Sequence, residues 1–166
     1  MQLEEFYDYK NQLMDDLLTN AEIIRLLDDN YKDSDQPERF VYSQVFPFEY
    51  VPDTIEHGQT FICCDVDVQK SLNKTFLIPV LYVWVFTHKS KMKLPKGGVR
   101  VDRLGSEIAK AVNGSRYYGL GEMDLYAVKR FAPVTDYQGK VMTFQAKDFN
   151  RVSPTGKPVP SNRKTG

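Results

Sequence analysis

The stretch Thr75–Thr87 constrains the fold more than any other part of this 166-residue chain. β-branched and aromatic residues dominate it, and apolar side chains occupy both odd and even positions. A strand with one solvent-facing side would alternate apolar and polar residues instead, so this pattern predicts a central strand that is buried on both faces. Pro79 lies inside it and lacks a backbone N–H, which predicts a bulge or a locally unpaired stretch.

Three further segments are predicted to be strands. Thr60–Val68 alternates cleanly between two faces, and turn residues separate it from Thr75–Thr87, so the two are expected to form an antiparallel hairpin. Residues 123–131 and 141–149 also have strand character, and the turn segment Pro133–Gly139 connects them.

Helical periodicity occurs in three places. Residues 3–18 place apolar side chains at steps of three and four, with Lys10 as the polar exception. Thr19 and Glu22 match a capping box that opens a short second helix ending near Asp29. Asp102–Val112 is predicted to be a third helix, and the following Asn-Gly pair is typical of a helix end.

The element order α-α-β-β-α-β-β predicts an α+β fold with a four-stranded, mainly antiparallel sheet and helices packed on one face. One domain is expected over residues 1–150, with residues 1–19 as an N-terminal helical extension. Residues 30–59 look irregular, although their aromatic residues suggest that this long connection packs down, and a connection of this length often has a binding role. Residues 151–166 contain four bases, no acid and little apolar bulk, so they are expected to form a flexible basic tail.

The charge of the chain is divided unevenly although its net value is zero. Residues 1–59 contain 14 acidic and 4 basic residues, and the remainder contains 8 acidic and 18 basic residues. Such asymmetry is informative about binding partners and not about the fold. The acidic and basic halves could complement each other within one molecule or between copies. We expect a soluble protein with no export signal, because no apolar run is long enough to cross a membrane and the N-terminus is acidic.

The catalytic candidates in the sequence are sparse. His57 and His88 match no nucleophile or metalloprotease motif, and adjacent Cys63 and Cys64 match no zinc framework. Two glycine pairs, at 97–98 and 119–121, match no nucleotide-binding loop and are interpreted as turns. We therefore expect no enzyme activity, no metal and no cofactor.

Asp65 and Asp67 provide the alternative enzymatic hypothesis. They share one strand face about 6.8 Å apart and could hold Mg²⁺ for phosphoryl chemistry, which would make the protein a small nuclease. A nuclease would normally require a third acid and a nearby base, for which Asp53 and Lys70 are the candidates. The other interpretation is a polar strand face that meets solvent or a partner.

The segment from His88 to Arg100 is basic and contains no acid. It could contact DNA phosphates, which would make the protein a nucleic-acid-binding adaptor, or it could dock on the acidic surface of another subunit. A solvated loop without a partner is the third possibility. The predicted contact residues are Lys89, Lys91, Lys93, Lys96 and Arg100.

A series of short motifs resembles the tail-terminator and tail-completion proteins of long-tailed bacteriophages, the neck family that joins tail to head. The resemblance spans about residues 20–150 and depends on the order of the motifs, which are Asn20-Ala-Glu-Ile-Ile-Arg-Leu-Leu27, Val45-Phe-Pro-Phe48, Val51-Pro-Asp-Thr54, Thr60-Phe-Ile-Cys63, Arg100-Val-Asp-Arg-Leu-Gly-Ser-Glu-Ile108 and Asn113-Gly114.

The resemblance implies a structural virion protein without catalytic residues. It implies a homo-oligomeric ring, expected to be a hexamer, which caps the tail tube and meets the head connector while DNA passes through its lumen without specific binding. The expected location is the tail neck of a virion assembled in the bacterial cytoplasm, with no membrane contact. The N-terminal helix and the basic tail lie outside the resemblance.

Overall fold

The computed structural model describes residues 3–52, 58–69, 76–116, 122–146 and 148–149. It contains three α-helices: α1 (Phe6–Thr19), α2 (Ala21–Leu27) and α3 (Arg100–Val112). The strands are β1 (Val45–Phe46), β2 (Thr60–Gln69), β3 (Phe76–His88), β4 (Asp124–Phe131), β5 (Tyr137–Gln145) and β6 (Asp148–Phe149). The predicted tail 151–166 lies outside the described residues.

Strand β3 lies at the centre of the sheet. It pairs antiparallel with β2 from Thr60↔Thr87 to Gln69↔Ile78, which confirms the predicted hairpin, and antiparallel with β5 on its other side. Val83, Val85 and Phe86 are buried without solvent access. The β5 ladder begins at Val80, whereas β6 pairs with Phe76 and Leu77, so Pro79 lies in the break between the two ladders, where its missing N–H costs least.

The predicted four-stranded, mainly antiparallel sheet is wrong. The chain is α+β, but its sheet is mixed and follows the five-strand order β1-β2-β3-β5-β4, with β6 pairing separately with β3. The element missed between the second helix and β2 is β1, which pairs parallel with Ile62 and Cys63. Pro47 predicts an irregular connection in this segment, yet the two residues before the proline retain their N–H groups and can pair.

The main core lies between the sheet and the helices. All three helices contribute buried apolar side chains to one cluster, together with the sheet residues that face them. These sheet residues alternate along each strand, as burial of one face requires. They are Val45, Ile62, Cys64, Val66, Leu81, Val83, Val85, Met142 and Phe144.

A second, smaller cluster covers part of the opposite sheet face. Phe61, Phe86 and Tyr137 are buried there, together with Phe46 and Cys63. Rings from the connection before β2 close over them, and Phe46 stacks on Tyr50 with ring centroids 4.2 Å apart. The aromatic residues of the long connection therefore serve as a cover for the sheet.

The junction of α1 and α2 differs in detail from the predicted capping box. Asn20 is the N-cap of α2, and its side-chain oxygen accepts hydrogen bonds from the backbone N–H groups of Glu22 and Ile23. Thr19 instead ends α1 and donates its hydroxyl to the carbonyl oxygen of Asp16. Asn caps a helix as well as Thr does, so the sequence alone does not distinguish these neighbouring positions.

Gly139 is predicted to be indispensable for the sheet. It lies directly opposite Phe86, where a Cβ atom would overlap the carbonyl oxygen of Val85. We expect Gly139→Ala to lower the free energy of unfolding by about 3 kcal/mol, because the two backbones must separate. Gly105→Ala is the matched control, since its Cβ would meet only the Met142 sulfur at 3.7 Å and helix propensity favours alanine by up to about 1 kcal/mol. Urea unfolding of both variants checks this, and a Gly139→Ala protein as stable as the wild type would contradict it.

Candidate functional site

The basic segment forms a tight, hydrogen-bonded loop between β3 and α3, which we call the lysine loop (residues 89–99). It starts as a short 3-10 turn, and a bridge then joins Lys93 to Val99. The Leu94 N–H donates to the Gly98 carbonyl at 3.1 Å, and the Gly97 N–H donates to the Leu94 carbonyl at 3.0 Å. Gly97 and Gly98 have φ values of 89° and 94°, which L-residues rarely adopt, and this explains the glycine pair.

Arg100 is one of the five predicted contact residues, but unlike the four lysines its side chain is buried. It is the first residue of α3 and is 2% exposed. Its Nη2 donates to both carboxylate oxygens of Asp29, at 2.8 and 2.9 Å, while Nη1 donates to the Leu26 carbonyl at 2.8 Å and Nε to the Lys91 carbonyl at 2.6 Å. A single planar fork of donors thus ties the end of α2 and the lysine loop to the start of α3.

The other four predicted contact residues, Lys89, Lys91, Lys93 and Lys96, are exposed. Lys89 forms an ion pair with Asp136 at 2.7 Å, and this hydrogen bond lowers the pKa of the Asp136 carboxyl below its ordinary value. Within the described part of the chain, no ion pair engages the other three lysines. The loop therefore presents positive charge from an anchored backbone, and its contact with a partner stays a prediction.

The two carboxylates of the nuclease hypothesis lie in the second half of β2, where Asp65 is partly buried and Asp67 is exposed. Asp65 is already engaged, because the Lys10 ammonium donates to its Oδ1 at 3.1 Å. This contact also explains the lysine in the apolar stripe of α1. A Mg²⁺ ion at Asp65 would have to displace Lys10, and among the described residues no group of three or more His, Cys, Asp or Glu side chains is arranged to hold a metal. Asp53 and Lys70 lie outside these residues.

The histidine and cysteine candidates have local roles. The His88 Nδ1 lies 2.7 Å from the Ser90 hydroxyl and accepts the Ser90 N–H, so it caps the turn that opens the lysine loop. His57 lies outside the described residues, as does the glycine pair at 119–121. Cys63 and Cys64 are buried, and burial raises the pKa of both thiols to about 12, so neither is a nucleophile near neutral pH.

Two exposed apolar patches lie at opposite edges of the sheet. The aromatic patch, beside β1, consists of Tyr42 and Phe48, whose ring centroids lie 6.3 Å apart, and Tyr42 has the strained φ of 59°. The β4 ridge consists of Leu125, Tyr126 and Val128, on the strand that ends the sheet on the other side. The sequence pointed to the aromatic connection as a binding segment, but it gave no sign that β4 is an edge strand, because strand order is not readable from alternation.

The fold and its surfaces define an α+β domain with an anchored basic loop and two apolar edge patches. A family model named YomW matches residues 20–146, and the chain therefore belongs to the YomW family, a family derived from Bacillus phages. No curated protein and no solved structure matches the chain. None of the helices in the described ranges is long and apolar enough to cross a bilayer.

Arg100 is predicted to stabilise the fold, in contrast to the exposed lysines of the same segment. We expect Arg100→Met to lower the free energy of unfolding by about 2–3 kcal/mol, because it leaves the Asp29 carboxylate and two carbonyl oxygens without their donor. Lys96→Met introduces methionine at an exposed position and should change the free energy of unfolding by less than about 0.5 kcal/mol. Equal effects of the two substitutions in urea unfolding would contradict the role of Arg100 as an anchor.

Proposed function

We propose that this phage-derived protein is a structural subunit of the phage neck, a tail terminator or head–tail joining protein. In this proposal copies of the chain form a ring, with six subunits as the expected number, that ends the growth of the tail tube and offers a landing surface to the head connector. DNA passes through the ring without specific binding. The protein is assembled in the host cytoplasm and stays in the virion.

The lysine loop is the observation that carries this proposal. Three of its lysines project from a short loop whose backbone is fixed by its own hydrogen bonds and by Arg100. A fixed arrangement of like charges suits recognition of an acidic protein surface, because the loop loses little conformational entropy on binding. The match to a phage-derived family and the resemblance to neck proteins support the same role.

Nucleic-acid binding through the same loop is the competing hypothesis, since lysines also neutralise phosphates. The two hypotheses differ in salt dependence and in the partner. DNA affinity falls with salt roughly in proportion to the number of phosphates contacted, whereas a protein interface also depends on shape and apolar contact.

Charge reversal of the lysine loop tests the proposal. We expect replacement of Lys91, Lys93 and Lys96 by glutamate to reduce the joining of heads to tails at least tenfold, because like charges would then face the acidic partner. Replacement of the same three residues by arginine keeps the charge and should retain joining within about twofold. Joining is measured by electron microscopy of tails and heads mixed with each purified variant.

Two results would contradict the proposed function. Normal joining of heads to tails by the glutamate variant would show that the lysine loop does not contact the partner. Tight, steeply salt-dependent binding of free DNA by the wild type, lost in the glutamate variant, would favour the nucleic-acid-binding adaptor.

A further inference from the structure

A groove lies on the helical side of the molecule, between the end of α1, the start of α2 and the connection that precedes β1. Its volume is about 600 Å³, within the roughly 300–1,000 Å³ that is usual for ligand pockets. The apolar part of its lining includes the buried side chains of Leu18 and Ile24 and the half-buried Val41. Its exposed acidic residues are Asp15, Asp33 and Glu38. We call this surface the acidic groove.

The three carboxylates of the acidic groove have no basic partner in the described part of the chain. Residues 1–59 contain only four bases, and three of these are held by other acids. They are Lys10, Arg25 and Arg39, which form ion pairs with Asp65, with Glu22, and with Asp28 and Asp35. The fourth base, Lys32, is exposed and forms no ion pair within the described ranges. The negative charge of the groove is therefore left for a partner.

The outer wall of the acidic groove is fixed by its own contacts. The Tyr31 hydroxyl donates to the Asp35 carbonyl at 2.7 Å, and the Lys32 N–H donates to the Asp35 carboxylate at 3.0 Å. The Arg39 guanidinium lies over the Tyr31 ring, 5.5 Å from its centroid. A wall held in this way loses little conformational entropy when a partner binds.

An apolar surface flanked by carboxylates matches the chemistry of a lysine side chain. The methylene groups of lysine pack on apolar surface while the ammonium group stays in water or beside a counter-charge. Attraction between the ammonium and a carboxylate is stronger in a partly buried groove than on an open surface, because water screens it less. The acidic groove therefore suits a basic side chain that a partner inserts.

The lysine loop is the complementary surface of the same chain. No acid occurs from His88 to Arg100, and Asp102, the next acid along the chain, is already paired with Lys140. The loop lysines that are exposed and without an ion pair among the described residues are Lys91, Lys93 and Lys96. The charge on this loop is thus of one sign.

The lysine loop and the acidic groove do not pair within one molecule, since no ion pair joins them in the ranges that the structure describes. Both are fixed to α2, the loop through the Arg100 contacts with the Leu26 and Lys91 carbonyls and the groove through Ile24. The net charge of the chain is zero, because the acidic excess of residues 1–59 equals the basic excess of the remainder. Contact between copies compensates both surfaces, whereas a partner of one charge sign compensates only one.

We propose that the lysine loop of one copy binds the acidic groove of the next, with a lysine side chain lying on Leu18 and Ile24 and its ammonium group against the groove carboxylates. The occupant of the groove is a second copy of this chain. Such contacts are heterologous, and they form a closed ring when the rotation between neighbours closes. The inference rests on the proposed function, and it identifies the next subunit as the acidic partner of the lysine loop.

Zero-length cross-linking tests this contact. A carbodiimide adds no spacer, so it joins an amine to a carboxylate only where the two are in contact. An equal mixture of nitrogen-15-labelled and unlabelled wild-type chains is cross-linked, digested and measured by mass spectrometry. We expect peptides of mixed isotope that join the lysine loop to the acidic groove, at least about fivefold more abundant than those that join Lys129 to the groove. Lys129 is the matched control, because it is also exposed and forms no ion pair within the described residues.

Exchange of charge between the two surfaces is the second test, read as the yield of covalent dimers. Lys91→Glu, Lys93→Glu and Lys96→Glu together should lower this yield at least about fivefold, because like charges then face each other. Adding Asp15→Lys, Asp33→Lys and Glu38→Lys to the same chain should restore the yield to within about twofold of the wild type, since the attraction is reversed and not lost.

A second triple variant controls for charge alone. Its three acids are exposed, lie outside the groove and form no ion pair in the described part of the chain. Glu49→Lys, Asp67→Lys and Asp124→Lys should not restore dimers when they are added to the glutamate variant. Urea unfolding of each variant confirms that it is folded.

Four outcomes would overturn the inference. Mixed-isotope peptides from the lysine loop no more abundant than those from Lys129 would show that the loop does not meet the groove of another copy. Loop–groove peptides of a single isotope would place the contact within one molecule. Peptides that join the groove to Lys157 or Lys164 instead of the loop would make the basic tail its occupant. Equal dimer yields from the charge exchange and the control would show that the groove acids are not the partner of the loop.

Head–tail joining is read separately from cross-linking. Absent loop–groove peptides, with joining that the wild type performs and the glutamate variant loses, would remove this contact and leave the neck function in place. Normal joining by the glutamate variant would instead contradict the proposed function itself.

Discussion

The antiparallel pairing of β3 with strands on both sides is the interaction on which the rest of the structure depends. It fixes β2 and β5 on either side of β3, and it leaves two apolar sheet faces that need a cover. The helices cover one face, and the aromatic connection covers part of the other. Because β3 occupies the centre, β1 and β4 are left as the two edges, and the surfaces that can meet partners are those of the edges and the loops between strands.

Arg100 links this core to the lysine loop. Its side chain satisfies the carbonyl oxygen of Leu26 at the end of α2, where helix carbonyls lack intrahelical partners, and it neutralises Asp29. The same guanidinium holds the carbonyl of Lys91, so the loop is fixed to the helical layer. The buried Arg100 side chain thus fixes the position of the loop that carries the exposed lysines. Within this short basic segment, Arg100 stabilises the fold and the lysines present positive charge to solvent.

Much of the fold was predictable because its main signals are local. The two-faced apolar run identified β3, alternation identified β2, and helical periodicity identified the helices. The features that the sequence did not predict are those that depend on residues distant in the chain. Two residues before a proline become β1 only because Ile62 and Cys63 lie beside them, and Arg100 is buried only because Asp29 approaches from the turn after α2. The basic segment was recognised as a surface feature, but its sequence could not separate the anchoring Arg100 from the exposed lysines.

The β4 edge shows how the chain limits strand pairing at the rim of its sheet. A bare edge strand would pair with any other strand, because unpaired N–H and C=O groups carry little specificity. Here Asn113 and the turn after α3 cap the first part of the β4 edge, the register shift at Tyr126 interrupts its regular pleat, and Lys129 and Arg130 add charge. What stays exposed is a small group of apolar side chains flanked by charge, which favours one complementary surface over indiscriminate strand pairing. Because the backbone is partly capped, this edge presents side chains more than free N–H and C=O groups.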